Sequence, residues 1–324
     1  MKKITALLLC ALIAVSSFVL VSCGGGNNED AKLKLGLGVY SVAEKATDAD
    51  GDTNGAGQAV ITAAAVLVDA DGKIVKCVID TADNTVSYTS AGKAVANTSF
   101  KTKYELGADY GMKSPYGSTK EWYEHVDAFC ALVKGKTVSE VKALVAADGK
   151  NTDEVISAGC TIAASEFVAA VEKAVANAKD SNATANSALK LGVNTAQETK
   201  DATGDATGSN KLTTDIFAAA VDAEGKIVAA TNETVEVNFT FDVTGKSTFD
   251  KTKAINGKRE LGDDYGMKSP YGSAKEWYEH ADAFVAACIG KKASEIASIA
   301  TADIQAAGCT IAADGFVKAA SKVG

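Results

Sequence analysis

Two hydrophobic patterns follow one another along the chain, and the pair occurs twice. Ile61–Val68 is an apolar, β-rich run, Asp69-Ala70-Asp71-Gly72 reads as a turn, and Lys73–Ile79 continues as a partner strand. Thr85–Thr89 and, later, Thr234–Phe241 alternate apolar with polar residues, as half-buried strands do. The period then changes to that of a helix. Trp122, Val126, Phe129 and Val133 recur at helical spacing and predict one buried stripe. Ser118-Thr119-Lys120-Glu121 and Ser273-Ala274-Lys275-Glu276 before the helices have capping-box spacing. Short helices are predicted over Ser139–Val145 and Ser294–Ala300, and last helices over Ser165–Ala176 and Asp314–Lys322. Strands first and helices later, without βαβ alternation, predict an α+β fold: two tandem homologous domains, each an antiparallel sheet with helices.

The repetition is explicit. Residues 105–129 and 260–284 match at 22 of 25 positions, and both Trp, both His and both Pro of the chain lie inside them. Asp71-Gly72-Lys73-Ile74-Val75 is answered by Glu224-Gly225-Lys226-Ile227-Val228. A period near 150 residues implies two whole domains rather than a solenoid. The expected boundaries are 33–178 and 187–324, with 179–186 as a polar linker.

Ahead of the repeat, Lys2 and Lys3 precede an apolar run from Ile4 to Val21 that ends at Leu20-Val21-Ser22-Cys23. This run is roughly 18 residues, about long enough to span a bilayer. The ending, followed by Gly24-Gly25-Gly26-Asn27-Asn28, is similar to the lipobox of bacterial lipoproteins. The resemblance implies a signal peptide over 1–22, lipid on Cys23, a tether over 23–32 and a place on the outer face of the cell membrane.

Composition narrows the classes. A net charge of −8 argues against nucleic acid and polybasic membrane contacts, and 47% hydrophobic residues against wholesale disorder. Setting aside Cys10 and Cys23, five cysteines are left with no CxxC spacing, which is neither a zinc site nor a disulfide framework. Asp48-Ala49-Asp50-Gly51-Asp52-Thr53-Asn54-Gly55 suggests a calcium loop, but its Gly is misplaced and Ala59 stands where a bidentate Glu belongs. No acid–base, metal or nucleophile constellation is visible, so no catalytic residues are assigned.

The candidate chemistry lies elsewhere. Thr161 and Thr310 each precede a predicted last helix, whose N-terminus welcomes a phosphate, and Gly159 and Gly308 leave room for its approach. Tyr110, Met112 and Tyr116, with Tyr265, Met267 and Tyr271, offer flat or polarizable surface on which a ring could stack. Trp122 and Trp277 head the buried stripe, and His125 and His280 are expected on the helix surface or in hydrogen bonds.

A D-G-K-I-V hairpin followed by a small-Gly-small-Thr loop and a C-terminal helix resembles the FMN-binding domains of flavinylated proteins. The loops here read Ser157-Ala158-Gly159-Cys160-Thr161 and Ala306-Ala307-Gly308-Cys309-Thr310. They depart from the family's pattern at Cys160 and Cys309, where it has Ala, and at Ala158 and Ala307, where it has Ser or Thr. The whole chain resembles the two-domain surface flavin lipoproteins of Gram-positive extracellular electron transfer. That resemblance implies two FMN groups, esterified to Thr161 and Thr310 by a flavin transferase, with Cys160 and Cys309 beside them and Lys113 and Lys268 stabilising a reduced, anionic flavin. It implies electrons passing from a membrane quinol-linked donor to extracellular acceptors. The alternatives are a solute- or cell-wall-binding lipoprotein without a redox cofactor, and a spacer module.

Overall fold

The computed structural model describes residues 30–113, 117–268 and 272–324. The expected signal peptide, Cys23, Tyr116 and Tyr271 lie outside them. Two antiparallel sheets and two sets of helices make a mixed α+β fold. In the first half, β1 (Lys34–Thr47), β2 (Gly55–Val68) and β3 (Ile74–Tyr88) pair in sequence order. Two-residue strands β4 (Ala94–Val95) and β5 (Lys179–Asp180) border β3 and β1. In this half α1 is Lys103–Leu106, α2 Trp122–Val133, α3 Val138–Lys142, α4 Asp153–Ala158 and α5 Ser165–Ala176.

The second half repeats the order. Its strands are β6 (Ala188–Lys200), β7 (Gly208–Val221) and β8 (Ile227–Phe241). Its helices are α6 (Lys258–Leu261), α7 (Trp277–Cys288), α8 (Ala293–Ile296), α9 (Thr301–Ala306) and α10 (Asp314–Ala320). None of the described helices is long and apolar enough to cross a membrane.

The alternation of β2 explains the layering. Ile61, Ala63, Ala65 and Leu67 face one way, and Ala64, Val66 and Val68 the other. The second set packs under the first half's helices, against Trp122, Val126, Phe129 and Phe167. The first set meets the equivalent face of the second half, where Leu212, Ile216, Val237 and Phe239 are buried in the same cluster. The chain is therefore layered helix–sheet–sheet–helix, with both faces of each central strand covered. That is why β2 reads as one apolar run.

Two reciprocal bonds show the symmetry. Ala49 N–H donates to Gly245 O and Ala202 N–H to Gly92 O, each at 2.8 Å. Each is the other with the halves exchanged. Tyr88 and Phe241 stack at 4.2 Å on the same seam. The segment expected to be a polar linker is also docked: β5 pairs with Lys34 and Leu35, and Leu33 N–H donates to Ala183 O at 2.8 Å.

Strands β1 and β6 escaped the sequence reading. Gly36 and Gly38 interrupt β1 because α5 lies on them. A Cβ at Gly36 would sit 1.9 Å from Ala174 O, and one at Gly38 2.2 Å from Ala170 O. Thr85–Thr89 is not a separate strand but mostly the end of the long β3. Nor does Ser118 cap the Trp helix: α2 begins at Trp122 with Glu121 as its N-cap, in a box with Glu124. Ser118 Oγ instead donates to Lys120 O at 2.7 Å.

Candidate functional site

Each half carries a cavity on its outer side, between its sheet, the segment before the Trp helix and the start of the last helix. In the first half the cavity is about 470 Å³, with Tyr110, Met112 and Trp122 on one wall and Ile162, Ser165 and Glu166 on another. In the second it is about 390 Å³, with Tyr265, Met267 and Trp277 facing Ile311, Asp314 and Phe316. Both are of the size that small ligands and cofactors occupy, from about 300 Å³ upward. The Trp residues are thus core and wall at once; Trp122 packs edge-on against Phe167 at 6.1 Å and Trp277 against Phe316 at 5.7 Å.

The Tyr–Met segment is held by a buried carboxylate. Glu121 Oε2 accepts from Met112 N–H at 2.8 Å, and Glu276 Oε2 from Met267 N–H at 2.7 Å. Ser118 N–H closes the loop on Met112 O at 3.2 Å, as Ser273 does on Met267 O. One glutamate therefore both caps the Trp helix and ties down the irregular stretch before it.

The threonine loop is placed by a histidine. His125 is buried on α2, accepts Thr161 N–H on Nδ1 at 3.2 Å, and meets Ser118 Oγ with Nε2 at 3.2 Å. His280 repeats this with Thr310 N–H at 3.2 Å and Ser273 Oγ at 3.3 Å. Nδ1 of His125 also lies 3.2 Å from Gly159 O, so this nitrogen faces both an amide and a carbonyl of the loop. Burial also lowers both histidine pKa values, which keeps the rings neutral. The histidines are accordingly hydrogen-bonding residues inside the fold, and the expectation of a helix-surface place is corrected. Lys120 Nζ donates to Gly159 O, and Lys275 Nζ to Gly308 O, each at 2.8 Å. Both ammonium groups are thereby held two residues before the threonine.

Thr161 and Thr310 are exposed, and the residues after them line the cavities. They are not helix caps. The N-caps of α5 and α10 are Ala164 and Ala313, three residues later. Gly159 and Gly308 also shape the backbone. At φ +103° and +104° they take the left-handed turn after α4 and α9, and a Cβ at Gly159 would press on the Lys120 ammonium at 2.3 Å. Cys160 and Cys309 are fully buried, and burial pushes the Cys160 thiol up to about 11. They fill core space beneath the loop. In the first half Asn151 adds a brace, donating to Cys160 O and Ile162 O and accepting from Ala164 N–H; Ala300 stands at the equivalent place in the second.

Lys113 and Lys268 are not on the cavity walls. They pair with Glu124 at 2.7 Å and Glu279 at 2.6 Å on the helix surface. The cations on the walls are Lys103 in the first half and Lys258 and Lys318 in the second, which sequence reasoning missed. Lys103 Nζ lies 5.1 Å from the Tyr110 ring centre and 3.2 Å from Asp83, and Lys258 Nζ lies 4.8 Å from Tyr265 and 2.9 Å from Glu236. Lys103 is the first residue of α1, and no spacing in the sequence relates it to the threonine loop.

Four carboxyls withdrawn from water have raised pKa values, and two of them, Glu166 and Asp215, line the cavities. Burial pushes Asp80 and Asp215 each up to about 6, and raises Glu166 and Glu233. A group whose folded pKa exceeds its unfolded one stabilises the fold fully below the unfolded value, and that contribution is lost as pH rises through the folded value. The neutral histidines act oppositely, losing stability as pH falls below their ordinary value. Asp215→Asn separates the two. Its stability relative to wild type should be highest at pH 7 and decline by up to about 3 kcal/mol as pH falls from 7 to 4. Denaturant unfolding at several pH values measures this, and a pH-independent difference would refute it.

No protein-family model and no solved structure matches the chain. Among curated proteins it is similar to chlorophenol reductase of Desulfitobacterium hafniense, 38% identical over 95 residues. The match covers 25% of this chain and 29% of that protein.

Proposed function

We propose that the protein is a lipid-anchored surface electron carrier with one FMN per half, the phosphate esterified to Thr161 and to Thr310. One observation carries this reading. The same cavity is built twice, each time with a Tyr, a Met and a Trp on one wall and an exposed threonine beside the other. A flat ring suits such walls, and the cavity volumes suit a cofactor of that size. Tyr110, Met112 and Trp122 would flank one ring, and Tyr265, Met267 and Trp277 the other. Lys120 and Lys275 stand beside the esterified threonines to offset phosphate charge. Lys103 and Lys258 place a cation on each cavity wall.

Bound flavin would supply electron transfer, and the chain would supply placement, exclusion of water and a fixed electrostatic setting. Such a carrier needs a flavin transferase to load it and a membrane quinol-linked donor to reduce it. Cys23 would hold it at the outer face of the membrane. The partial similarity to a protein named as a reductase is compatible with redox chemistry.

Expression with a flavin transferase should yield a yellow protein that keeps its flavin through denaturation. Thr161→Ala and Thr310→Ala should each remove about half of the bound flavin by mass spectrometry, and the double variant all of it. A colourless product would sink the reading; colour lost on unfolding would remove the ester and leave non-covalent binding.

A further inference from the structure

The two cavities share a carboxyl that the two halves supply from different elements. In the first half Thr62 on β2 lies opposite Thr81 on β3, and their hydroxyls bond at 2.9 Å. Thr62 Oγ1 then donates to Glu166 Oε2 of α5 at 3.2 Å. In the second half Asp215 occupies the position of Thr62, opposite Thr234, whose Oγ1 donates to Asp215 Oδ1 at 2.5 Å. The position of Glu166 is now Gly315. A Cβ at Gly315 would sit 1.9 Å from Asp215 Oδ2, so the strand carboxyl excludes a side chain on the helix. The carboxyl has moved from helix to strand, and its place against the sheet and the cavity wall is the same.

Packing does not account for this exchange. A carboxyl withdrawn from water is costly, and an apolar side chain over the β3 threonine would fill the space more cheaply. Two compensating differences, Thr62 against Asp215 and Glu166 against Gly315, keep an acid at one point while changing the element that carries it. We infer that each cavity uses this acid, Glu166 in the first half and Asp215 in the second, as a hydrogen-bond donor to an acceptor atom on the edge of the bound ring. The inference rests on the flavin reading above. Donation requires the neutral acid, and burial raises the pKa of both groups. Glu166 faces Lys103 on α1, Glu44 on β1 and Asp83 on β3. Asp215 faces Lys258 on α6, Glu236 on β8 and Lys318 on α10.

Riboflavin, which has no phosphate to titrate, is the probe for the ester-free full chain, with binding followed by fluorescence quenching and each variant's fold by circular dichroism. Wild type should bind two equivalents, more weakly as pH rises from 5 to 8. Glu166→Gly should weaken one of the two about tenfold, and adding Thr62→Asp should restore it. Glu166→Gln, whose amide donates at any pH, should bind well and lose the pH dependence of that site. Equal binding by wild type and Glu166→Gly, or a Thr62→Asp/Glu166→Gly protein that folds yet stays weak, overturns the shared acid alone. A wild type that binds no riboflavin overturns the flavin reading and the acid together.

Discussion

Phe239→Ala should destabilise both halves of the protein together, by about 3–5 kcal/mol. Phe239 is buried on β8 with its ring tilted over Phe249 at 4.7 Å. On its other side lies Gly57 of the first half, where a Cβ would come within 2.3 Å of the ring. The phenyl group of one half therefore occupies space left by a glycine in the other, and truncating it opens a cavity between the sheets. Each half holds one tryptophan, so Trp122→Phe and Trp277→Phe backgrounds report the two halves separately. Denaturant titrations should show both reporters moving to the same lower midpoint. A transition in which Trp122 keeps its original midpoint would show that the sheets do not form one cooperative core.

His125→Ala carries the second large effect. It orphans Thr161 N–H, removes the Nε2 contact to Ser118, and leaves a hole under α2, for a combined cost of about 3 kcal/mol or more. The expected functional result is selective: flavin lost from the first half and retained in the second, with His280→Ala giving the reverse. His125→Asn can keep an amide oxygen near the place of Nδ1 and should recover part of the loss. Flavin content by absorbance and melting by circular dichroism measure both. Retention of two flavins by folded His125→Ala would remove the histidine from the site.

Local patterns in the sequence reached the elements that local patterns govern. The stripe of Trp122, Val126, Phe129 and Val133 is buried as its spacing predicts, and α5 spans the predicted residues. The strands on either side of the Asp69–Gly72 turn also pair antiparallel as read, the second running on to Tyr88. What escaped depends on contacts distant in sequence. Gly36 and Gly38 have their reason in β1 only through the backbone of α5 lying on them. His125 lies 36 residues from the threonine it holds, and Lys103 lies on a four-residue helix with no periodicity to mark it. Lys113 drew attention by sitting in the matched segment, yet its charge is taken up by Glu124 in the first turn of α2. The helix cap was misplaced for a related reason: Ser118 has the right spacing to Glu121, but the glutamate makes the bonds. The exchange of Glu166 for Asp215 is written in the sequence. It becomes legible only when β2 and α5 are known to meet.

The reciprocal bonds of Ala49 with Gly245 and Ala202 with Gly92 relate the two halves as equals. They describe an isologous contact, in which one surface meets a second copy of itself about a twofold axis. That is the geometry of a homodimer, carried here on one polypeptide. A chain carrying a single half would present Leu35, Leu37, Ile61 and Leu67 as an open apolar face, and would have to find a second copy to cover it. Because both halves lie on one polypeptide, their sequences need not be the same, and one places its acid on a helix and the other on a strand.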